Sequence, residues 1–335
     1  MMARFLSSWR LPRFGGQEVA EQADASPGVY VSLSELVAFE YRLRKLQGLA
    51  QAAPSHSLLA GRHRASRRGR GLDFEELREY LPGDDPRTID WRVTARRGLA
   101  HVRIYNEERD RHHWLLVDQR TSMFFGRRRA LRSQVAAQAA ALLAWKSLCD
   151  GDRIGGLVLG DDGFDQVKPR RGRRSLLQLL ARIVERNQAL HAGLSPPSAA
   201  GQLNEALGQL SALAPRNGQV TIISDFAGFT ERTRAALSDL ARSNDVLLLP
   251  FWDPPGPTKN QRVVVSDGAL QIEVDMGDKH LRERLADIAD SRMQALLGLR
   301  EQMGLAVVPL VTSDEVVVQV GKLLGIHACG GRGRR

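Results

Sequence analysis

With 335 residues, 43% of them apolar and 26% charged, the chain has room for one large core with appendages and is too apolar to be disordered throughout. Its formal charge of +10 favours acidic partners such as nucleic acid, anionic lipid or an acidic protein face, but much of the excess sits in the run GRHRASRRGRG at 61–71, in KPRRGRRS at 168–175 and in the tail ending at Arg335. Aromatic residues, 6% of the chain, are not interleaved with those runs as base stacking requires, and the two cysteines, Cys149 and Cys329, indicate neither a disulfide framework nor a zinc site.

Residues 1–28 read as a flexible leader, because Gly15, Gly16, Ser26, Pro27 and Gly28 break any pattern. Arg4, Arg10, Pro12 and Arg13 interrupt its apolar run too often for a signal peptide or a membrane span, although Phe5, Leu6, Trp9, Leu11 and Phe14 offer a weak docking segment. No later stretch approaches the ~20 apolar residues of a transmembrane helix, so a cytoplasmic protein is expected. From Ser32 onward Leu36, Val37, Phe39, Leu43, Leu46 and Leu49 recur at helical spacing, with Ser34 as the cap.

Beyond residue 112 strands alternate with helices. The strand HWLLVD is followed by an alanine-rich helix over 130–148, the strand RIGGLVLG, a short strand at 166–168 and a helix over 175–187. A break at 193–201 precedes a helix over 203–213, the strand QVTIISDF, a helix over 231–242 and the strand DVLLLPFWD. Then come a hairpin turned at Asp267 and Gly268, a helix over 278–303, the strand LAVVPLV and a helix over 314–324. Short apolar strands between helices require a sheet covered on both faces, which makes the fold α/β, a doubly wound and mostly parallel sheet from Trp114 onward. The division expected is a leader at 1–28, an N-terminal helix and loop-rich segment at 29–112, the α/β domain at 113–325 and a basic tail at 326–335.

The block REYLPGDDPRTIDWRVTARRG is the most informative part of the chain. Arg78, Tyr80, Gly83, Asp84, Asp85, Arg87, Ile89, Asp90, Trp91, Ala95 and Arg96 fit the pattern R-x-Y-x-x-G-D-D-x-R-x-I-D-W-x-x-x-A-R. Through this block, Glu107 and Glu108, and 223–226, the chain resembles the domain-of-unknown-function 58 family over roughly residues 60–325. The resemblance implies a von Willebrand factor A-like domain of Rossmann-like type and pairing with a MoxR-type AAA+ ATPase. Physically, 83–86 is a turn whose Asp side chains can bond nearby N–H groups, and Arg87, Asp90, Arg92, Arg96 and Arg97 offer ion pairs beside Trp91. Two readings follow: a partner-docking surface made of Asp84, Asp85, Arg87, Asp90, Trp91 and Arg96, with Arg120 farther along the chain as a further partner-binding residue, or an ion-paired turn with Trp91 as an apolar anchor that pins the segment to the domain.

Von Willebrand A-like domains carry a metal site whose first loop reads D-x-S-x-S, and the corresponding loop here is Asp118-Gln119-Arg120-Thr121-Ser122. Arg120 stands where the middle Ser belongs, and Gly201 or Gln202 replaces an expected Thr. Asp118, Ser122 and Asp225 remain as oxygen ligands for a cation such as Mg²⁺, two short of the expected five. An arginine between carboxylates can supply the positive charge instead, so Arg120 is expected to pair with Asp118 or Asp225 in the metal's place; a bound ion and simple loop divergence are the alternatives. His112 and His113 point to opposite faces of a strand and lack a third ligand, so they read as ordinary strand-entry residues. Leu176, Leu177, Leu179, Leu180 and Ile183 face inward on the helix after the second basic run, leaving its arginines in solvent.

No P-loop, no G-x-S-x-G elbow and no convergent acid, base and nucleophile are present. The expectation is a non-enzymatic interaction module without a cofactor, partnered by a MoxR-type AAA+ ATPase in assembly or maturation of a protein complex. The alternatives are binding of nucleic acid or another anionic surface through the arginine runs, and a metal-dependent hydrolase.

Overall fold

The computed structural model describes residues 29–50, 72–81, 84–107, 111–126, 129–191, 199–253, 262–266, 271–275 and 279–325. The leader, the basic run at 61–71, the turn at Asp267 and Gly268, and the tail at 326–335 lie outside the described residues, as does Gly83.

Helix α1 (Leu33–Ala50) opens the fold. Ser32, not Ser34, caps it: the Ser32 Oγ accepts from the backbone N–H of Glu35 at 3.2 Å, while Ser34 lies within the first turn. Strands β1 (Leu72–Glu79) and β2 (His101–Glu107) then pair antiparallel, with helix α2 (Trp91–Arg97) between them in sequence. This ribbon is absent from the sequence expectation, and its irregular register explains why. A bulge between Phe74 and Glu76 breaks the period-two alternation by which a strand is recognised.

The main sheet contains β3 (His112–Asp118), β4 (Arg153–Gly160), β5 (Gly163–Arg170), β6 (Gln219–Ser224) and β7 (Asp245–Pro250). A separate hairpin pairs β8 (Arg262–Ser266) with β9 (Gln271–Asp275), and β10 (Ala306–Val307) completes the main sheet. Across that sheet the order is β10-β7-β6-β3-β4-β5, all parallel except the antiparallel edge strand β5. This is the doubly wound order in which the chain reverses direction of growth between the first strand, β3, and the fourth, β6.

Helices α3 (Arg132–Cys149), α4 (Arg173–Gln188), α5 (Ala199–Leu213), α6 (Glu231–Ser243), α7 (Lys279–Met303) and α8 (Val316–Leu323) cover both faces. Strand alternation assigns the faces: Leu115 and Val117 of β3 join α1, α3, α4 and α8 in one core, and Trp114 and Leu116 join α5, α6 and α7 in the other. Leu176, Leu179, Leu180 and Ile183 are buried in the first core, with Leu177 at its margin. At Gly156 any Cβ would lie 2.1 Å from the Leu115 carbonyl oxygen, so β3 and β4 can pair there only around glycine.

Helix α1 packs against the α/β core. Val31, Leu36, Phe39 and Leu43 are buried in the first core, and the Trp145 indole donates to the Leu36 carbonyl at 3.1 Å. Alanines 136, 137, 139, 140, 141 and 144 make α3 slim enough to fit between α1 and the sheet. The segment 29–112 thus contributes one helix to the domain core and a separate two-stranded ribbon. No helix among the described residues is long and apolar enough to cross a membrane.

Candidate functional site

In an open α/β sheet the crevice at the switch point, beyond the carboxyl ends of the strands, is where ligands bind. Here β3 ends in Asp118 and its neighbour β6 ends in Ser224, followed by Asp225. Asp118 is wholly buried, and Arg120 is only 1% exposed. Arg120 reaches back and grips Asp118 in bidentate fashion, Nε donating to Oδ1 at 3.0 Å and Nη2 to Oδ2 at 2.7 Å. Its Nη2 lies 3.8 Å from Asp225 Oδ1, and both terminal nitrogens donate to the Ala227 carbonyl, at 3.2 and 3.3 Å.

The surrounding groups hold that geometry. The backbone N–H of Arg120 donates to Asp118 Oδ1 at 3.0 Å, and Ser224 Oγ donates to Asp118 Oδ2 at 2.6 Å. Ser224 Oγ in turn accepts from the N–H of Phe226, whose φ of 53° turns the chain sharply out of β6. Ser122 Oγ donates to Asp225 Oδ1 at 3.3 Å, and the N–H of Ala227 donates to the same oxygen at 2.9 Å. Arg132 Nη1 lies 3.9 Å from Asp225 Oδ2 while its Nε donates to Asp253 at 2.8 Å. The Asp161 carboxylate accepts from both the N–H and the hydroxyl of Thr121, at 2.9 and 2.6 Å to Oδ2.

Burial alone would lower the pKa of Arg120, but Asp118, with Asp225 and Asp161 behind it, outweighs that effect and raises it above the ordinary arginine value. Arg120 is therefore a permanent cation at the centre of the crevice. Asp118, Ser122 and Asp225 do converge, yet the guanidinium lies among them and draws on both oxygens of Asp118. A Mg²⁺ ion needs close, near-octahedral oxygen contacts at about 2.0–2.1 Å. The residues as placed do not fit such an ion, because Arg120 fills its position; among the described residues no group of three His, Cys, Asp or Glu side chains is arranged to hold a metal. Gln202, at the place of the expected Thr, gives its side-chain N–H to the Asp161 carbonyl instead.

Asp161, Arg132 and Asp253 were not singled out from the sequence, although a signal existed. The chain reads LLVD, VLGD, IISD and PFWD where β3, β4, β6 and β7 run out, so an aspartate stands at or just beyond the carboxyl end of each of these four parallel strands. His113 serves packing rather than ligation: it is buried, its Nδ1 pairs with Ser147 Oγ and its Nε2 with Thr221 Oγ1 at 2.9 Å. Burial, reinforced by Arg111, pushes its pKa down to about 3 and keeps the imidazole neutral.

The signature block is ordered by bonds of its own. Arg78 and Asp84 form a bidentate pair at 2.7 and 2.8 Å, and Asp84 also accepts from the N–H of Leu81. These bonds, Arg78 first, lower the Asp84 pKa. Asp85 accepts from the N–H of Arg87, and Asp90 caps α2 by accepting from Arg92 N and Val93 N at 3.0 and 3.2 Å. Asp85 thus bonds a nearby N–H as expected of a residue in this turn, and Asp90 in addition organises the first turn of α2. One reading of Trp91 is corrected: at 69% exposure it does not anchor the segment to the domain, and it shares the surface with exposed Leu81, Leu99, Arg87, Arg92, Arg96 and Arg97.

Strand order and direction define a doubly wound α/β domain with an ion-paired switch point. The family model described as "Protein of unknown function DUF58" matches residues 76–294, more than half of the chain, and the chain belongs to that family. It is 34% identical over 197 residues to the uncharacterized protein Rv1480 of Mycobacterium tuberculosis (strain H37Rv) and to the uncharacterized protein Mb1516 of Mycobacterium bovis. Each match covers 59% of this chain and 60% of the relative, so the chain spans about three fifths of the length of these curated relatives. A solved structure, "von Willebrand factor type A from Catenulispora acidiphila", is similar over 46% of this chain and 35% of its own, at 16% identity and a TM-score of 0.29. That overlap is slight, and the fold class rests on strand order and direction.

Proposed function

We propose that this protein is a non-enzymatic, cation-independent interaction module of the cytoplasm, and that it docks a MoxR-type AAA+ ATPase through the surface around Trp91. The observation that carries the reading is the exposure of Trp91, with Leu81 and Leu99 exposed in the same block and Arg87, Arg92, Arg96 and Arg97 around them. Tryptophan and arginine are the side chains on which interface energy concentrates, and a large aromatic left in water gains most from being covered. Asp90 and Gly98 cap the two ends of α2, so the surface is offered on an ordered helix rather than on a loose loop. The crevice supports the non-enzymatic part: Arg120 satisfies the carboxylates that would otherwise be available to a substrate or an ion. The resemblance of the signature block to its family supports the choice of ATPase.

Affinity capture with the tagged protein from a lysate of the source organism, read by mass spectrometry, tests this. A AAA+ ATPase recovered with the native chain, retained in chelator and lost with Trp91→Ala is the expected result. Capture abolished by chelator refutes cation independence, and an ATPase retained by Trp91→Ala refutes the docking surface.

A further inference from the structure

A second surface, on α1 and the start of α4, is strongly basic. On α1, Leu36, Phe39 and Leu43 are buried, whereas Tyr41, Arg42, Arg44 and Lys45 are exposed. Spacings of three and four residues place Tyr41, Arg44 and Lys45 side by side on the helix surface. The start of α4 brings Arg173 to the same place: Glu40 holds Arg44 at 2.8 Å with one oxygen and Arg173 at 2.7 Å with the other. The Arg173 guanidinium also rests over the Trp145 ring, 4.9 Å from its centroid, and exposed Arg174 follows it. This turn stands where β4 begins, as the pairing of Arg170 with Ile154 shows, whereas Asp118 pairs with Leu159 at the other end of that strand.

We infer that this face docks an acidic segment of a partner protein, with Arg44, Arg173 and Arg174 taking its carboxylates and Tyr41, 73% exposed, packing on its apolar part. Glu40 demonstrates the recognition within the chain itself, one carboxylate between two guanidinium groups, an arrangement that further carboxylates extend. Arginine and tyrosine are enriched at protein interfaces and lysine is depleted, which matches a patch holding four exposed arginines and a tyrosine for one lysine. A groove for single-stranded nucleic acid stacks successive bases on several aromatic side chains, and this face exposes Tyr41 where such a series would be needed. The inference does not depend on the Trp91 surface, and its test leaves that reading untouched.

The test is fluorescence anisotropy with the full chain, using a labelled glutamate-rich peptide containing leucines and, separately, a labelled DNA duplex, each at low and at near-physiological salt. Reversing two charges of the patch, Arg44→Glu with Arg174→Glu, is expected to weaken peptide binding about tenfold or more. The same charge change on the other face of the sheet, Arg232→Glu with Arg242→Glu on α6, is expected to cost less than about twofold. Tyr41→Ala is expected to weaken the peptide severalfold. Equal losses in the two double variants would show that the peptide follows net charge alone and overturn the inference. A duplex bound more tightly than the peptide, and lost with Arg44→Glu and Arg174→Glu, would overturn it in favour of nucleic acid.

Discussion

Replacing Arg120 by serine probes the crevice most directly. The side chain supplies two of the hydrogen bonds to the wholly buried Asp118 and the nearest positive charge to Asp225. Removing one member of a buried pair strands the other charge, at a typical cost of about 3–5 kcal/mol. Ser224 and the residue-120 N–H still donate to Asp118, which places the expected loss toward the lower end of that range. The variant loop reads Asp-Gln-Ser-Thr-Ser and opens space among Asp118, Ser122 and Asp225, so a divalent cation can neutralise what Arg120 neutralised. At about 100 times its Kd such an ion returns about 2.7 kcal/mol. Urea denaturation followed by tryptophan fluorescence, in EDTA and in excess Mg²⁺, reads both effects. The native chain should show the same midpoint in both buffers, and Arg120→Ser should be strongly destabilised in EDTA and partly restored by Mg²⁺. A variant within about 1 kcal/mol of the native chain in EDTA would refute the buried-pair argument. Stabilisation of the native chain by Mg²⁺ would refute the assignment of Arg120 to the ion's position.

His113 stays neutral in the fold with a pKa near 3 against 6.5 when unfolded, so the unfolded chain takes up this proton first as pH falls. Its contribution is whole above pH 6.5 and drains away toward pH 3, about 1.4 kcal/mol per unit and about 2 kcal/mol between pH 6.5 and 5; His113→Gln should flatten that slope in urea midpoints. Asn187, fully buried, accepts from the Val31 N–H at 2.9 Å and donates to Gln119 at 2.9 Å, so Asn187→Leu leaves two buried partners unmet and should cost about 2–4 kcal/mol by denaturation. The same change should speed hydrogen exchange at Val31 and Leu36, reporting release of the start of α1. Trp91→Ala, on an exposed side chain, should leave stability within about 0.5 kcal/mol while reducing partner capture.

The doubly wound sheet was legible because its parallel strands are buried on both faces and read as short apolar runs between amphipathic helices. The contact between Arg120 and Asp118 was legible for a local reason: the residues are two apart, and an arginine stood where the resemblance called for a small hydroxyl. What escaped was tertiary. Asp161, Arg132 and Asp253 reach the crevice from the β4–β5 turn, the start of α3 and the segment after β7, and only the order of the sheet brings them together. The β1–β2 ribbon escaped because a bulge disturbed its alternation. The placement of α1 escaped because an amphipathic helix announces an apolar face without naming the surface that covers it.

That placement bears on the crevice. Gln119 and Arg120 are adjacent, and their side chains are held on opposite sides of the loop. Gln119 donates to the Ser133 carbonyl at the start of α3 and accepts from Asn187 of α4, which also holds Val31 just ahead of α1; Arg120 turns to Asp118 and Ala227. A long side chain normally gives up about 1.5–2 kcal/mol of rotamer freedom when fixed. A loop already clamped at Gln119 on one side and by the Thr121 N–H bonded to Asp161 on the other confines Arg120 before its ion pair forms. The burial of α1 against α3 and α4 therefore belongs to the same device as the salt bridge: it keeps rigid the two helices that position the loop.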